Sequence, residues 1–292
     1  MLALIAGSGS MPGRIVDRLL ARGSEVRIFA LEGEQVSLSG DVPLQRFRVE
    51  TLGSLLADLK AAAIREVCFV GGVRRPVIDP RRVDAATAPL LERLVAARGS
   101  GDDAALRTVV ALFEEAGLFV VAAHDVLPEV LPDVGVPTTA KPSDADGADA
   151  ARGAAIVAAL GQADVGQACV VAEGQALAVE AAPGTDWMLD SLVLGGQAPG
   201  WTAPARSATV PTQPDALGAE VSRGLLYKAP KPGQDRRVDL PTIGLGTVER
   251  AATLGLRGIV IEAGGVMGLD VDEVIAAADA AGLFLWIREP GA

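Results

Sequence analysis

The sequence predicts a mixed α/β protein built as two α/β domains. Short apolar runs alternate with amphipathic helical runs along most of the chain, the pattern of parallel strands covered by helices on both faces. The 292 residues, half of them hydrophobic, are enough for a sizeable core and for more than one domain. A stretch rich in Pro, Thr, Ser, Asp and Gly, Pro137 to Asp149, reads as the linker. The expected division is therefore 1–138 and 139–292, with the second domain carrying the charged loop described below, the candidate for catalysis.

Leu2 to Ala6 is the first strand. Gly7-Ser8-Gly9-Ser10-Met11-Pro12 follows it, then a helix with Met11, Ile15, Leu19 and Leu20 on one face. Pro12 suits the first helical turn, where its missing N–H is no loss. Strands follow at Glu25–Leu31, Leu44–Val49 and Glu66–Val70, with a helix bearing Leu52, Leu55, Leu56 and Leu59 before the last. Helices are expected over Ala85–Ala97 and Ala104–Ala116, and a strand over Leu118–Ala122. In the second half a helix runs from about Ala148 to Leu160. Ala168–Ala172 and Ala176–Ala181 form a hairpin around Glu173-Gly174, and a helix opens at Gly184-Thr185-Asp186. Leu192 to Leu217 is irregular, with residues 193–217 a candidate mobile lid. Gly224–Tyr227 is a strand, followed by a helix from Thr247, a strand Gly258–Ile261, a helix Asp270–Ala281 and a closing strand Leu283–Ile287.

Composition excludes several function classes. The net charge is −11 and the isoelectric point about 4.7, against the basic balance of a nucleic-acid binder. An anionic substrate would need local cations or a metal to offset that field. Cys68 and Cys169 each lie in an apolar run and read as buried small hydrophobes. His124 is the sole histidine, so a multi-histidine metal centre is excluded. No apolar stretch is long enough to span a bilayer, and the N-terminus has no signal-peptide pattern. A cytoplasmic protein is expected.

One loop holds the densest chemistry. Lys228 to Gly244 carries two lysines, two arginines and two aspartates within a dozen residues. Pro230, Pro232, Gly233 and Pro241 keep it from being a helix interior or a central strand. Lys228, Lys231, Arg236 and Arg237 could hold a phosphate or diphosphate. Asp235 and Asp239 could bind a metal or activate a water. The alternative is a solvated turn whose charges neutralise one another.

Elsewhere, Gly7-Ser8-Gly9 sits between a strand and a helix, where backbone can approach phosphate. A dinucleotide fingerprint would need a third glycine where Pro12 stands, although Glu32 is placed like a ribose-binding acid. Arg74-Arg75 ends a strand on a glycine-rich turn and could clamp phosphate. Asp102-Asp103 opens a helix, as do Thr185 and Asp186, and capping explains all four. Glu262 follows an apolar strand and could line a cleft or only make a turn. No nucleophile elbow or Walker loop is present. What remains is carboxylate and cation chemistry, which suits magnesium-assisted phosphoryl hydrolysis, with manganese as the other hard cation.

The string Lys228, Lys231-Pro232, Gln234-Asp235, Arg237, Asp239-Leu240-Pro241, Thr242-Ile243-Gly244 resembles the signature of the LpxI family of UDP-2,3-diacylglucosamine pyrophosphatases. Ile5-Ala6-Gly7-x-Gly9-x-Met11-Pro12, Gly101-Asp102-Asp103-Ala104 and Ala178-Val179-Glu180-Ala181-x-x-Gly184-Thr185-Asp186 resemble its other motifs. The resemblance implies a Rossmann-like N-terminal domain and a substrate cleft between the two domains. It implies hydrolysis of UDP-2,3-diacylglucosamine to lipid X (2,3-diacylglucosamine 1-phosphate) and UMP, in lipid A biosynthesis. On that reading Asp235 and Asp239 are the catalytic acids. Asp235, Asp186 and Asp103 are the metal's candidate ligands. Gly7, Ser8, Gly9, Met11, Pro12, Arg74, Arg75, Thr185, Lys228, Lys231, Gln234, Arg236, Arg237 and Glu262 contact substrate. Magnesium, peripheral contact with the cytoplasmic face of the inner membrane, and a homodimer belong to the same expectation. The rival readings are a nicotinamide-dependent oxidoreductase and a non-catalytic sugar-nucleotide sensor.

Overall fold

A computed structural model describes residues 1–74, 76–97, 102–193, 221 and 223–291; the side chains of Asp102, Asp103 and Val193 are not among what it describes. Arg75 and the candidate lid beyond Val193 lie outside the described residues. Two compact units emerge. The first is Met1–Glu129 together with Gln234–Leu240, and the second is Val130–Gly233 together with Pro241–Ala292.

The first unit contains β1 (Leu2–Ala6), α1 (Met11–Ala21), β2 (Val26–Leu31), β3 (Leu44–Phe47), α2 (Leu52–Ala61), β4 (Glu66–Val70), α3 (Ala88–Ala97), α4 (Asp102–Glu115), β5 (Phe119–Val121) and the single turn α5 (Ala123–Val126). Its sheet has the order β3-β2-β1-β4-β5, with every pair parallel. This is the doubly wound order, whose switch point lies between β1 and β4. β1 is buried along its whole length, as a central parallel strand must be. Ala3, Ile5, Phe29 and Val67 meet Leu55, Leu59, Val110 and Phe113 of the helices on one face. Phe69 and Phe113 pack edge to face at 5.0 Å. Ile15 and Val16 of α1 are fully buried, and this helix lies beside β2.

The second unit contains α6 (Asp144–Gln162), β6 (Ala168–Ala172), β7 (Gln175–Val179), α7 (Thr185–Val193), β8 (Leu225–Lys228), β9 (Thr242–Ile243), α8 (Leu245–Thr253), β10 (Gly258–Glu262), β11 (Met267–Gly268), α9 (Val271–Ala280) and β12 (Phe284–Arg288). Its main sheet runs β12-β10-β8-β6-β7. β12, β10 and β8 are parallel, whereas β6 is antiparallel to both β8 and β7. Alternate residues of the strands feed two cores. Val170, Leu226, Ile259 and Leu285 meet α7, α8 and α9. Cys169, Leu225, Tyr227 and Val260 meet α6. A second, two-stranded sheet pairs β9 with β11; two-residue strands carry no periodic signal, and none was expected there.

The structure overturns the linker reading of Pro137 to Asp149. Ser143 caps α6, accepting from the Asp146 N–H while Asp146 accepts from the Ser143 N–H at 2.7 Å. Asp146 and Asp149 are buried. Asp146 accepts from Arg257 at 2.8 Å, and Asp149 accepts from the N–H groups of Glu173 and Gly174 in the β6–β7 turn. The acids that look like a solvated linker are caps and turn anchors. The candidate catalytic loop also divides differently from expectation. Gln234–Leu240 groups with the first unit, because Val238 packs on that unit's core and Arg237 pairs with Glu114 of α4.

Both cysteines are free and buried, as their apolar surroundings suggested. Burial pushes each thiol up to about 12.

Candidate active site

At the switch point of the first sheet, two glycine turns close on each other. The Gly7 N–H donates to Val70 O at 2.7 Å, and Ser8 and Gly72 exchange backbone hydrogen bonds at 2.8 and 3.0 Å. Ser8 Oγ also donates to Gly72 O at 2.9 Å. A Cβ on Gly7 would run into the Gly72 carbonyl oxygen, so this glycine is required by the neighbouring turn. Gly7→Ala is expected to destabilise the protein by about 1–3 kcal/mol, read as a lowered urea midpoint. An unchanged midpoint would show that the two turns separate freely. The amides of Gly7 and Ser8 are thus engaged within the fold. Gly9 takes φ +98, and Met11 and Pro12 are buried at the start of α1.

Arg74 is exposed and tied to the turn after β2. Its N–H donates to Glu34 Oε1 at 3.0 Å and its guanidinium to Gly33 O at 2.9 Å. Glu32, the ribose-acid candidate of the dinucleotide reading, accepts from Arg48 at 2.7 Å.

The segment Gln234–Leu240 forms one helix-like turn, in which the N–H groups of Val238 and Asp239 donate to Asp235 O at 3.1 and 3.2 Å. Arg237 grips the Asp235 carboxylate in a fork, Nε to Oδ1 at 2.9 Å and Nη2 to Oδ2 at 2.7 Å. The Arg237 N–H adds a third bond to Oδ1 at 3.1 Å. On its other side Arg237 donates to Glu114 at 2.6 Å. The Arg237 fork holds the Asp235 carboxyl below the usual carboxylate range, partial burial opposes that, and the charge of Arg107 on α4 adds to it. Gln234 is buried and donates through Nε2 to Asp239 Oδ2 at 2.5 Å. Arg236 is exposed. A cavity of about 480 Å³ between α3 and α4 is lined by Arg93, Arg107 and several alanines.

In the second unit, Lys231 pairs with Asp164 at 2.6 Å and sits beside Gly161 at the end of α6. Lys228, expected to meet phosphate, is instead 6% exposed at the end of β8. Its ammonium donates to Thr185 Oγ1 at 2.8 Å and to Thr242 O at 2.9 Å. Thr185, the first residue of α7, donates in turn to Glu180 Oε1 at 3.1 Å. Asp186 faces Arg250 at 3.5 Å. Glu262 ends β10 and lies near the buried Tyr227, whose phenol burial pushes up to about 12, with the Glu262 charge adding to the rise.

Asp235, Asp186 and Asp103 were expected to share a metal. Asp235 groups with the first unit and Asp186 with the second, and the Asp103 side chain is not described. No three His, Cys, Asp or Glu side chains gather as a metal site among the described residues. Magnesium, however, keeps several waters and takes only one or two carboxylates together with substrate phosphates. Each carboxylate oxygen has two lone pairs. Oδ2 of Asp235, accepting one described bond, fits that modest demand.

Sequence reasoning missed Glu114, Arg107 and Asp164. Glu114 stands 123 positions from Arg237, and nothing in a helical run that simply ends in two acids marks it out.

Comparison with known proteins bears on the whole chain. The family profile for the LpxI N-terminal domain matches residues 1–130, and that for the LpxI C-terminal domain matches residues 133–286. The UDP-2,3-diacylglucosamine pyrophosphatase LpxI of Caulobacter vibrioides is 36% identical over 291 residues, covering 99% of this chain and 98% of that protein. Matches to both domains and along nearly the full length leave one conclusion: this chain belongs to the LpxI family.

Proposed function

We propose that this protein hydrolyses the diphosphate bond of UDP-2,3-diacylglucosamine, releasing UMP and 2,3-diacylglucosamine 1-phosphate. The observation that carries the reading is the Glu114–Arg237–Asp235 chain on a loop bearing the family signature, together with the full-length likeness to a pyrophosphatase of that name. An ionised carboxylate beside several cations suits a reaction in which water attacks a diphosphate. Asp235, held below the usual carboxylate range, is ionised at neutral pH and is a weak base. Its task is therefore to orient the attacking water and take up proton density late, rather than to strip a proton beforehand. Arg236 and Arg237, with Lys231 earlier in the loop, neutralise charge growing on the phosphate oxygens. Magnesium bound at Asp235 and the phosphates would supply further Lewis-acid polarisation. Asp239, bonded to Gln234, shapes the turn that presents Asp235.

Attack is assigned to the α-phosphorus, so that the lipid phosphate monoester leaves. In heavy-oxygen water the label should appear in UMP and be absent from the lipid product, as read by mass spectrometry of both. Label in the lipid product would place attack at the β-phosphorus and reverse the roles given to the loop. Activity should vanish in EDTA and return with magnesium or manganese. Full turnover after exhaustive metal removal would leave the arginines and lysine alone to stabilise the phosphorane.

No helix among the described residues is long and apolar enough to cross a membrane. Peripheral contact with the inner membrane, through the acyl chains of the substrate, and pairing of two copies belong to the same proposal.

A further inference from the structure

Lys228, Thr185 and Glu180 form a chain of polar side chains that the reaction above does not use. All three are buried, at 6, 8 and 7% exposure. The ammonium of Lys228 and the carboxylate of Glu180 are linked through the Thr185 hydroxyl, at 2.8 and 3.1 Å. Glu180 is anchored in turn, its Oε2 accepting from the Gln167 N–H at 3.2 Å. Burying two charges is expensive, and the arrangement holds only because each has a partner. Its position shows what it could do. Lys228 closes β8, and its second described bond goes to the carbonyl of Thr242, 14 positions on, at the start of β9. Thr242 is itself fixed, because β9 pairs with β11. Between these two residues the chain leaves the second unit after Gly233 and returns to it at Pro241, and the excursion contains Asp235.

We propose that Glu180, Thr185 and Lys228 are positioning residues. They staple the neck of the catalytic loop, so that the turn from Gln234 to Leu240 starts and ends at fixed points. This rests on the hydrolase reading given above. The staple explains why a lysine in a phosphate-handling signature is buried: its ammonium holds the far end of the loop at Thr242. A neck left unclosed lets the turn wander, and small misplacements of a reacting group reduce turnover steeply. Substrate affinity, set by the loop's other cations, is less affected.

Thr185→Val removes the linking hydroxyl at nearly constant volume. The variant should fold, and its kcat should fall by about 10–100-fold with KM within about twofold of the parent, the split expected of misplacement. Thr185→Ser should recover most of that loss relative to valine. Glu180→Gln, which removes the counter-charge and leaves one accepting oxygen where the carboxylate offers two, should act in the same direction as Thr185→Val. Independently of turnover, hydrogen exchange should quicken at the Val238 and Asp239 amides in Thr185→Val and stay unchanged at β1 and β10. A loss confined to KM would overturn the proposal and return Lys228 to a direct phosphate contact. Unchanged kcat and unchanged exchange would overturn it as well. Should the parent protein hydrolyse nothing, the hydrolase reading fails, and the exchange measurement still decides whether the staple fixes the loop.

Discussion

Asp235→Asn is expected to lower turnover by about 10³-fold while the protein still folds and binds substrate. Asparagine keeps the shape of the side chain and an acceptor for the Arg237 N–H, so the turn from Gln234 to Leu240 retains its backbone bonds. What is lost is the negative charge proposed to orient water and hold a cation. Removing an anion from a cationic loop weakens repulsion toward an anionic substrate, so ground-state affinity should stay constant or rise. The loss must then appear in kcat. Asp239→Asn is the control. Its Oδ2 accepts from Gln234 at 2.5 Å, a bond that the asparagine oxygen can accept after a flip, and turnover should fall by less than about tenfold. Near-normal turnover in Asp235→Asn, with a large loss in Asp239→Asn, would exchange the two roles.

The first unit was legible because central parallel strands are continuous apolar runs. Leu2–Ala6 is buried along its whole length and is followed at once by a glycine turn. The β6–β7 hairpin was legible from Glu173-Gly174, whose φ values of +48 and +77 suit a tight turn. Two things were not legible. Polar caps and solvated linkers share a composition, so Ser143, Asp146 and Asp149 looked like a boundary when they anchor α6 and a turn. A capping box was there to be read, but the surrounding Pro, Thr and Asp masked it. The loop signature named Lys228 and Arg237 alike as phosphate cations. Only their partners separate them, and those partners stand 43 and 123 positions away. A motif fixes residue types along a loop, whereas burial and pairing are decided by elements distant in sequence.

Arg237→Met should lower kcat at neutral pH by about 10–100-fold and move the acid limb of the pH–rate profile upward. In the parent protein the Arg237 fork is the main reason the Asp235 carboxyl lies below its usual range, and desolvation opposes it. Removing the guanidinium leaves the desolvation, so the carboxyl must rise. The unfolded carboxyl has the higher pKa of the two states. The pair therefore contributes stability that is fully present above the unfolded pKa and is lost as pH falls through the lower, folded one. Arg237→Met should lose that contribution, so that its urea midpoint lies furthest below the parent's at neutral pH and approaches it in strong acid. Arg237→Lys restores the charge without the fork and should recover the acid limb only in part, because a point charge does not fix both carboxylate oxygens. Glu114→Gln, one bond further out, should shift the same limb by less. A variant whose acid limb stays in place, with the whole effect in KM, would show that Arg237 serves the substrate phosphates and leaves Asp235 to be oriented by the turn itself.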